Sequence, residues 1–258
     1  MQKRYALVLS CALMLSGPAA FAQAFPMTIP TDPASRQISV VVDKGLTHTR
    51  QLPRRSLRDA RKAMIAKQVV SDDDLRALAE YGDGLAAKKY VDLVLGREGL
   101  TKDNASDVAY FASIAAQQGR VYALDEMVSA MMYLDPESEP QVRKRQLIKV
   151  LYPYAWEGNS LAMDAVIDYN GEGKLFGALS ERTRQRILDH AENSDGRVEL
   201  RFALQILTSD QITQADLDRA TAYLERAERS RTLAVVTTAA NLKTLLSTKQ
   251  TQMAPATN

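Results

Sequence analysis

The amino-acid sequence predicts an all-α protein, an α-solenoid of about five antiparallel helical hairpins behind an extended N-terminal arm. Three features predict it. From Pro53 onward the chain is written in alanine, leucine and charged residues, with apolar positions three or four apart, the spacing that gathers them on one face of a helix. Helix starts recur along this stretch. Ser71-Asp72-Asp73-Asp74 offers a capping hydroxyl followed by acids where free backbone N–H groups favour negative charge, and Thr213 with Asp216 repeats the arrangement. Finally, one motif returns at a fixed period: Ala79-x-x-Gly82-x-x-x-Ala86, Ala116-x-x-Gly119-x-x-x-Ala123 and Ala155-x-x-Gly158-x-x-x-Ala162, with a looser copy at Ala191, Gly196 and Leu200.

The first element is not part of that fold. Lys3 and Arg4, an apolar run from Tyr5 to Leu15, and Ala20-Phe21-Ala22 have the layout of a secretory signal peptide, with cleavage expected after Ala22 and a periplasmic location. The apolar run falls short of the ~20 residues that span a bilayer, and no later segment approaches that length, so the chain is not read as an integral membrane protein. Cys11, the single cysteine, falls inside the leader. Its removal leaves no disulfide and no thiolate metal site, and lipidation at Cys11 is the alternative use of that residue.

Residues 23–53 read as an extended arm, because Pro26, Pro30 and Pro33 are too closely spaced for a helix. Ile38-Ser39-Val40-Val41-Val42 is β-branched and Asp43-Lys44-Gly45 supplies turn chemistry, which allows a short β-hairpin with residues 46–49. Two strands alone are marginal in water, so the hairpin needs the helical body or a partner to lean on. Residues 54–247 form the helical repeat domain, and residues 248–258 a disordered tail.

Within the repeat domain each glycine is expected in a tight turn between two antiparallel helices, and each alanine where those helices approach closest. A hairpin alone cannot bury both of its apolar faces, so consecutive ones must stack. At this point the chain resembles the Sel1-like repeat, a relative of the tetratricopeptide repeat with a similar period. Tyr169-x-Gly171-x-Gly173-x-Leu175 and Gly96-x-x-Gly99-x-x-x-Asp103 resemble its closing loop. The likeness covers roughly Leu75 to Leu246, and implies an α-solenoid whose concave surface makes protein contacts. In size, export signal and repeats the chain is also loosely similar to periplasmic regulators of exopolysaccharide production, which implies a partner such as the sensor part of a membrane histidine kinase.

Charge and side-chain chemistry narrow the function. Setting aside Lys3 and Arg4 from the 33 basic residues leaves as many as the 31 acidic ones, so overall charge gives no reason to expect nucleic acid. The distribution is uneven: Gln23 to Lys67 carries nine basic and three acidic residues, a basic head on a mildly acidic body. Only His48 and His190 represent histidine, and no metal or cofactor is expected. Asp72, Asp73 and Asp74 lack the glycine and distal glutamate of a calcium loop. Gly158-Asn159-Ser160 lacks the strand, histidine and acid of a nucleophile elbow. Gly171-Glu172-Gly173-Lys174 lacks phosphate-loop spacing, and Glu137-Ser138 sits between two prolines without a catalytic domain around it.

What remains is a binding protein rather than an enzyme. Arg54, Arg55, Arg58 and Arg61, within a basic run over residues 50–67, fall broadly on one side of a helix and suit an anionic glycan, lipid head groups or an acidic protein. Tyr122, Tyr154 and Trp156 are the candidate aromatic anchors, and Pro153 between two tyrosines is expected to bend its helix. The expected function is a non-catalytic periplasmic protein–protein interaction module, regulating a membrane sensor or surface polysaccharide production. The alternatives are a scaffold for an export or polysaccharide machine, and a cell-wall-active enzyme. The expected partner is an envelope protein, either a sensor kinase or a transport or assembly subunit.

Overall fold

In the computed structural model, residues 33–191, 196–209 and 211–253 are described. The leader with Cys11 and the segment up to Asp32 lie outside them, as do residues 192–195 before Gly196 and the last five residues. Eleven α-helices occupy the described chain: α1 Arg55–Ile65, α2 Asp72–Glu80, α3 Gly84–Glu98, α4 Lys102–Ala116, α5 Ala123–Met131, α6 Gln141–Trp156, α7 Ser160–Tyr169, α8 Glu181–Ala191, α9 Arg197–Leu207, α10 Gln214–Ala227 and α11 Leu233–Met253. They pair as α2/α3, α4/α5, α6/α7, α8/α9 and α10/α11, five hairpins with α1 packed on the first. Equivalent helices of neighbouring hairpins also touch, α4 on α6, α5 on α7, and α7 on α9, so the chain is an all-α solenoid.

The repeated motif sets the hairpin geometry. Ala79, Ala86, Ala116, Ala123, Ala155 and Ala162 are all fully buried, because a methyl group is the largest side chain the crossing admits. Gly119 has φ +84°, and its N–H closes the turn on the Ala116 carbonyl at 2.8 Å; Gly82 and Gly158 share that left-handed conformation. At Gly82 and Gly158 the next helix is then capped by the residue beside the glycine. Asp83 accepts from the Leu85 and Ala86 N–H groups, and Asn159 from that of Ala162. The expected caps at Ser71 and Thr213 are present, the latter as a reciprocal box with Asp216.

The arm departs from the hairpin allowed by its sequence. Ile38 to Val42 pairs with a helical turn instead of with residues 46–49: Val41 and Gln118 form an isolated bridge, and the Val42 and Asp43 N–H groups both donate to the Gln117 carbonyl. The helix-end carbonyls of the glycine turns need partners, and an extended segment supplies them without the cost of an unsupported hairpin. Running back along the stack, the arm meets each turn in reverse order. Asn159 Nδ2 holds the Arg36 and Ile38 carbonyls at 3.0 Å, Ser39 Oγ donates to the Gly119 carbonyl, and Leu46 N–H donates to the Gly82 carbonyl at 2.9 Å. Ile38, Val40 and Val42 are half-buried while Ser39 and Val41 are exposed, the alternation of a strand.

One further expectation is corrected. α11 continues to Met253, so the segment read as a tail from residue 248 begins as helix. Pro153 lies inside α6, which runs on to Trp156.

Candidate functional site

Three of the residues singled out as partner contacts belong to the arm's attachment. Arg61 is largely withdrawn from solvent, with its side chain 12% exposed, and donates to Asp83, Thr49 and the Leu46 carbonyl. Arg58 donates to the Leu52 and Pro53 carbonyls at 2.7 and 3.3 Å. Tyr154 is fully buried; its hydroxyl donates to the Ala116 carbonyl at 2.7 Å and accepts from Val40 N–H, and burial pushes its pKa up. These three hold the chain's own N-terminal segment, so the basic face loses two of its cations and the aromatic set its central member.

The others stand apart. Arg54 and Arg55 project from the start of α1 into solvent, Arg55 beside Asp59 at 3.7 Å. Tyr122 is 54% exposed, its ring 5.3 Å from Lys88 Nζ. Trp156 packs edge-on against Tyr152 and beneath Arg186, whose Cζ lies 4.4 Å from the ring centre. His48 is exposed, and the side chain of His190 lies outside the described residues.

An open groove with a volume of about 340 Å³ lies between α5 and α7. Val128 of α5 and Met132, which caps its C-terminus, face Leu161, Ala165 and Tyr169 of α7 across an apolar floor. Met132 is 76% exposed, whereas Met127 and Met131 of the helix it ends are buried. Charge rims this floor. Asp164 and Asp168, one turn apart on α7, share Arg201 of α9 at 2.9 and 2.7 Å, and Arg36 of the arm pairs with Asp125 at the other side. Burial raises the pKa of both Asp164 and Asp168, with Arg201 opposing, and it pushes the Tyr169 hydroxyl up to about 12. Arg201 Nε is a buried donor without a protein partner.

This groove was not read from the sequence. Asp164 and Asp168 at a spacing of one helical turn were the available signal, but their joining to Arg201 depends on how α9 stacks on α7. The groove brings together apolar area, two adjacent carboxylates and a fork-shaped cation fixed by them. Among the described residues no group of three or more metal-ligating side chains converges, and no helix is long and apolar enough to cross a membrane. Comparison with family models, with curated proteins and with solved structures returns no match to this chain.

Proposed function

We propose that the chain is a non-catalytic interaction module of the bacterial envelope that holds or restrains a protein partner in the groove between α5 and α7. The observation that carries this reading is the apolar floor of exposed Met132 with half-buried Leu161 and Tyr169, bounded by the Asp164–Arg201–Asp168 cluster. A side chain inserted over Met132 gains apolar contact while Asp168, its carboxyl half exposed, remains open to a donor. The Sel1-like spacing of the glycine turns and the leader-like first residues support a periplasmic partner. A membrane sensor kinase that governs surface polysaccharide is the leading one.

The test places a photo-crosslinking amino acid at Met132 and, as a control, at exposed Arg229. The reading expects a discrete adduct with one envelope protein from position 132 and none from position 229. A transport subunit as the adduct would favour an assembly scaffold. Equal labelling from both positions, or no adduct from either, would sink the groove as the contact surface.

A further inference from the structure

We infer that the N-terminal cap of the solenoid, the outer side of α1 with the turn that follows it, is a docking surface for an anionic phospholipid bilayer. The turn is unlike the others. Its N–H groups close as they do at Gly82 and Gly158, Lys67 N–H on the Met64 carbonyl at 3.1 Å and Gln68 N–H on the Ala63 carbonyl at 2.9 Å. The residue in the left-handed position, however, is Lys67 with φ +58°, the sole non-glycine with positive φ among the described residues. Glycine adopts that conformation without a steric penalty, and strain of this kind points to a role for the side chain that causes it.

What surrounds Lys67 says which role. Val69 is 100% exposed and Ile65 56%, two aliphatic side chains held in water on either side of the lysine. Next to them a shallow depression of about 550 Å³ is lined by Met64, Val70, Leu75 and Leu93 with Lys89 at its edge. Along α1 the exposed cations Arg54, Arg55 and Lys62 continue the patch, and Asp59 is the one acid of that helix, 3.7 Å from Arg55 and 3.6 Å from Lys62. Acids also border the depression: Asp73 is exposed, Asp92 lines it and pairs with Lys88, Asp72 pairs with Arg97 and Asp74 bonds Ser71. Arg58 and Arg61 turn inward to the arm, which leaves Lys62 and Lys67 near the two aliphatics and Arg54 and Arg55 at the far end of α1.

Cations that meet phosphate groups, with small aliphatics between them that enter the acyl boundary, are the two elements of interfacial binding. A soluble anionic polysaccharide engages only the cations and leaves Val69 and Ile65 in water. That difference favours the bilayer and separates the two experimentally.

The experiment uses the chain from Gln23, which contains every described residue and lacks the apolar leader, in co-sedimentation with phosphatidylcholine vesicles containing phosphatidylglycerol. Binding is expected to these vesicles but not to phosphatidylcholine alone, and it should weaken as salt screens the cations. Arg55→Glu and Lys62→Glu should each weaken it by roughly fivefold or more. Val69→Asp should reduce it further while leaving retention on a soluble sulfated polysaccharide close to the loss expected of one charge. Lys67→Gly relieves the strained turn, so it should melt no lower than the parent chain yet bind vesicles less, an outcome that misfolding cannot imitate. Absence of binding to the anionic vesicles, equal binding to neutral ones, or vesicle binding indifferent to Val69→Asp and Lys67→Gly would each overturn the proposal.

Discussion

Arg61 Nε donates to Asp83 Oδ2 at 2.7 Å, and both side chains are nearly withdrawn from water, at 12% and 6% exposure. Asp83 in turn caps α3, so one carboxylate joins α1, the arm and the first hairpin. Removing one member of such a pair strands the other. Arg61→Ala is expected to cost about 3 kcal/mol, whereas exposed Arg55→Ala should change stability by less than ~0.5 kcal/mol. Urea unfolding of both variants checks this, and similar midpoints would mean that Arg61 is a surface residue after all.

Ala123 and Ala162 sit at helix crossings with no exposed surface. Ala123→Trp or Ala162→Trp should lower the melting temperature through overpacking, by a few kcal/mol of stability. Melting like that of the parent chain in both variants would break the repeat alignment.

Gly119 separates the arm from the second hairpin. A Cβ there would lie 3.1 Å from Val41 Cγ2 and 3.2 Å from Ser39 Oγ, on a backbone with φ +84°. Gly119→Ala should loosen residues 38–43, read as faster amide hydrogen exchange at Val42 and Asp43 and earlier proteolysis of the arm, with about 1 kcal/mol or more of lost stability. Gly45→Ala should be harsher, because its Cβ would fall 2.3 Å from the Gly82 carbonyl oxygen. Unchanged exchange at Val42 in Gly119→Ala would place the arm elsewhere.

Asp216 is held down to about 2 by the Thr213 hydroxyl and backbone N–H groups, with Arg219 adding to them. Because the folded value lies below the unfolded one, the folded state binds this proton less readily. Its contribution is complete above about pH 4 and fades as pH falls toward about 2. The side chain is 21% exposed, so solvent screens part of the effect. Asp216→Asn should therefore flatten stability against pH within that window and leave its slope above about pH 5 unchanged. An identical acid slope in the two proteins would remove Asp216 as a contributor.

Two consequences of local chemistry are visible in the chain alone. Glycines 37 and 39 residues apart, each flanked by alanines, require hairpins of one size, since backbone sterics forbid a side chain at the turn and packing forbids one at the crossing. Ser71 and Thr213 likewise announce their helices, because a cap bonds residues only three positions away.

Contacts between distant segments were decided by the tertiary structure. Arg58, Arg61 and Tyr154 looked like surface anchors because charge and aromaticity fit a binding face, yet their partners lie at Leu52, Asp83 and Ala116, and stacking determines which helix face turns inward. The arm's β-branched run marked it as extended, but the Gln117 carbonyl that receives it is far from Val42 along the chain, and nothing in a period of two names that partner. The groove at Met132 and the joining of Asp164, Asp168 and Arg201 arise in the same way. The sequence by itself determined the repeating helical hairpins, whose rules act within a turn or two of the backbone. Only the tertiary structure decided which polar and aromatic groups stay exposed, because burial depends on what the neighbouring repeat covers.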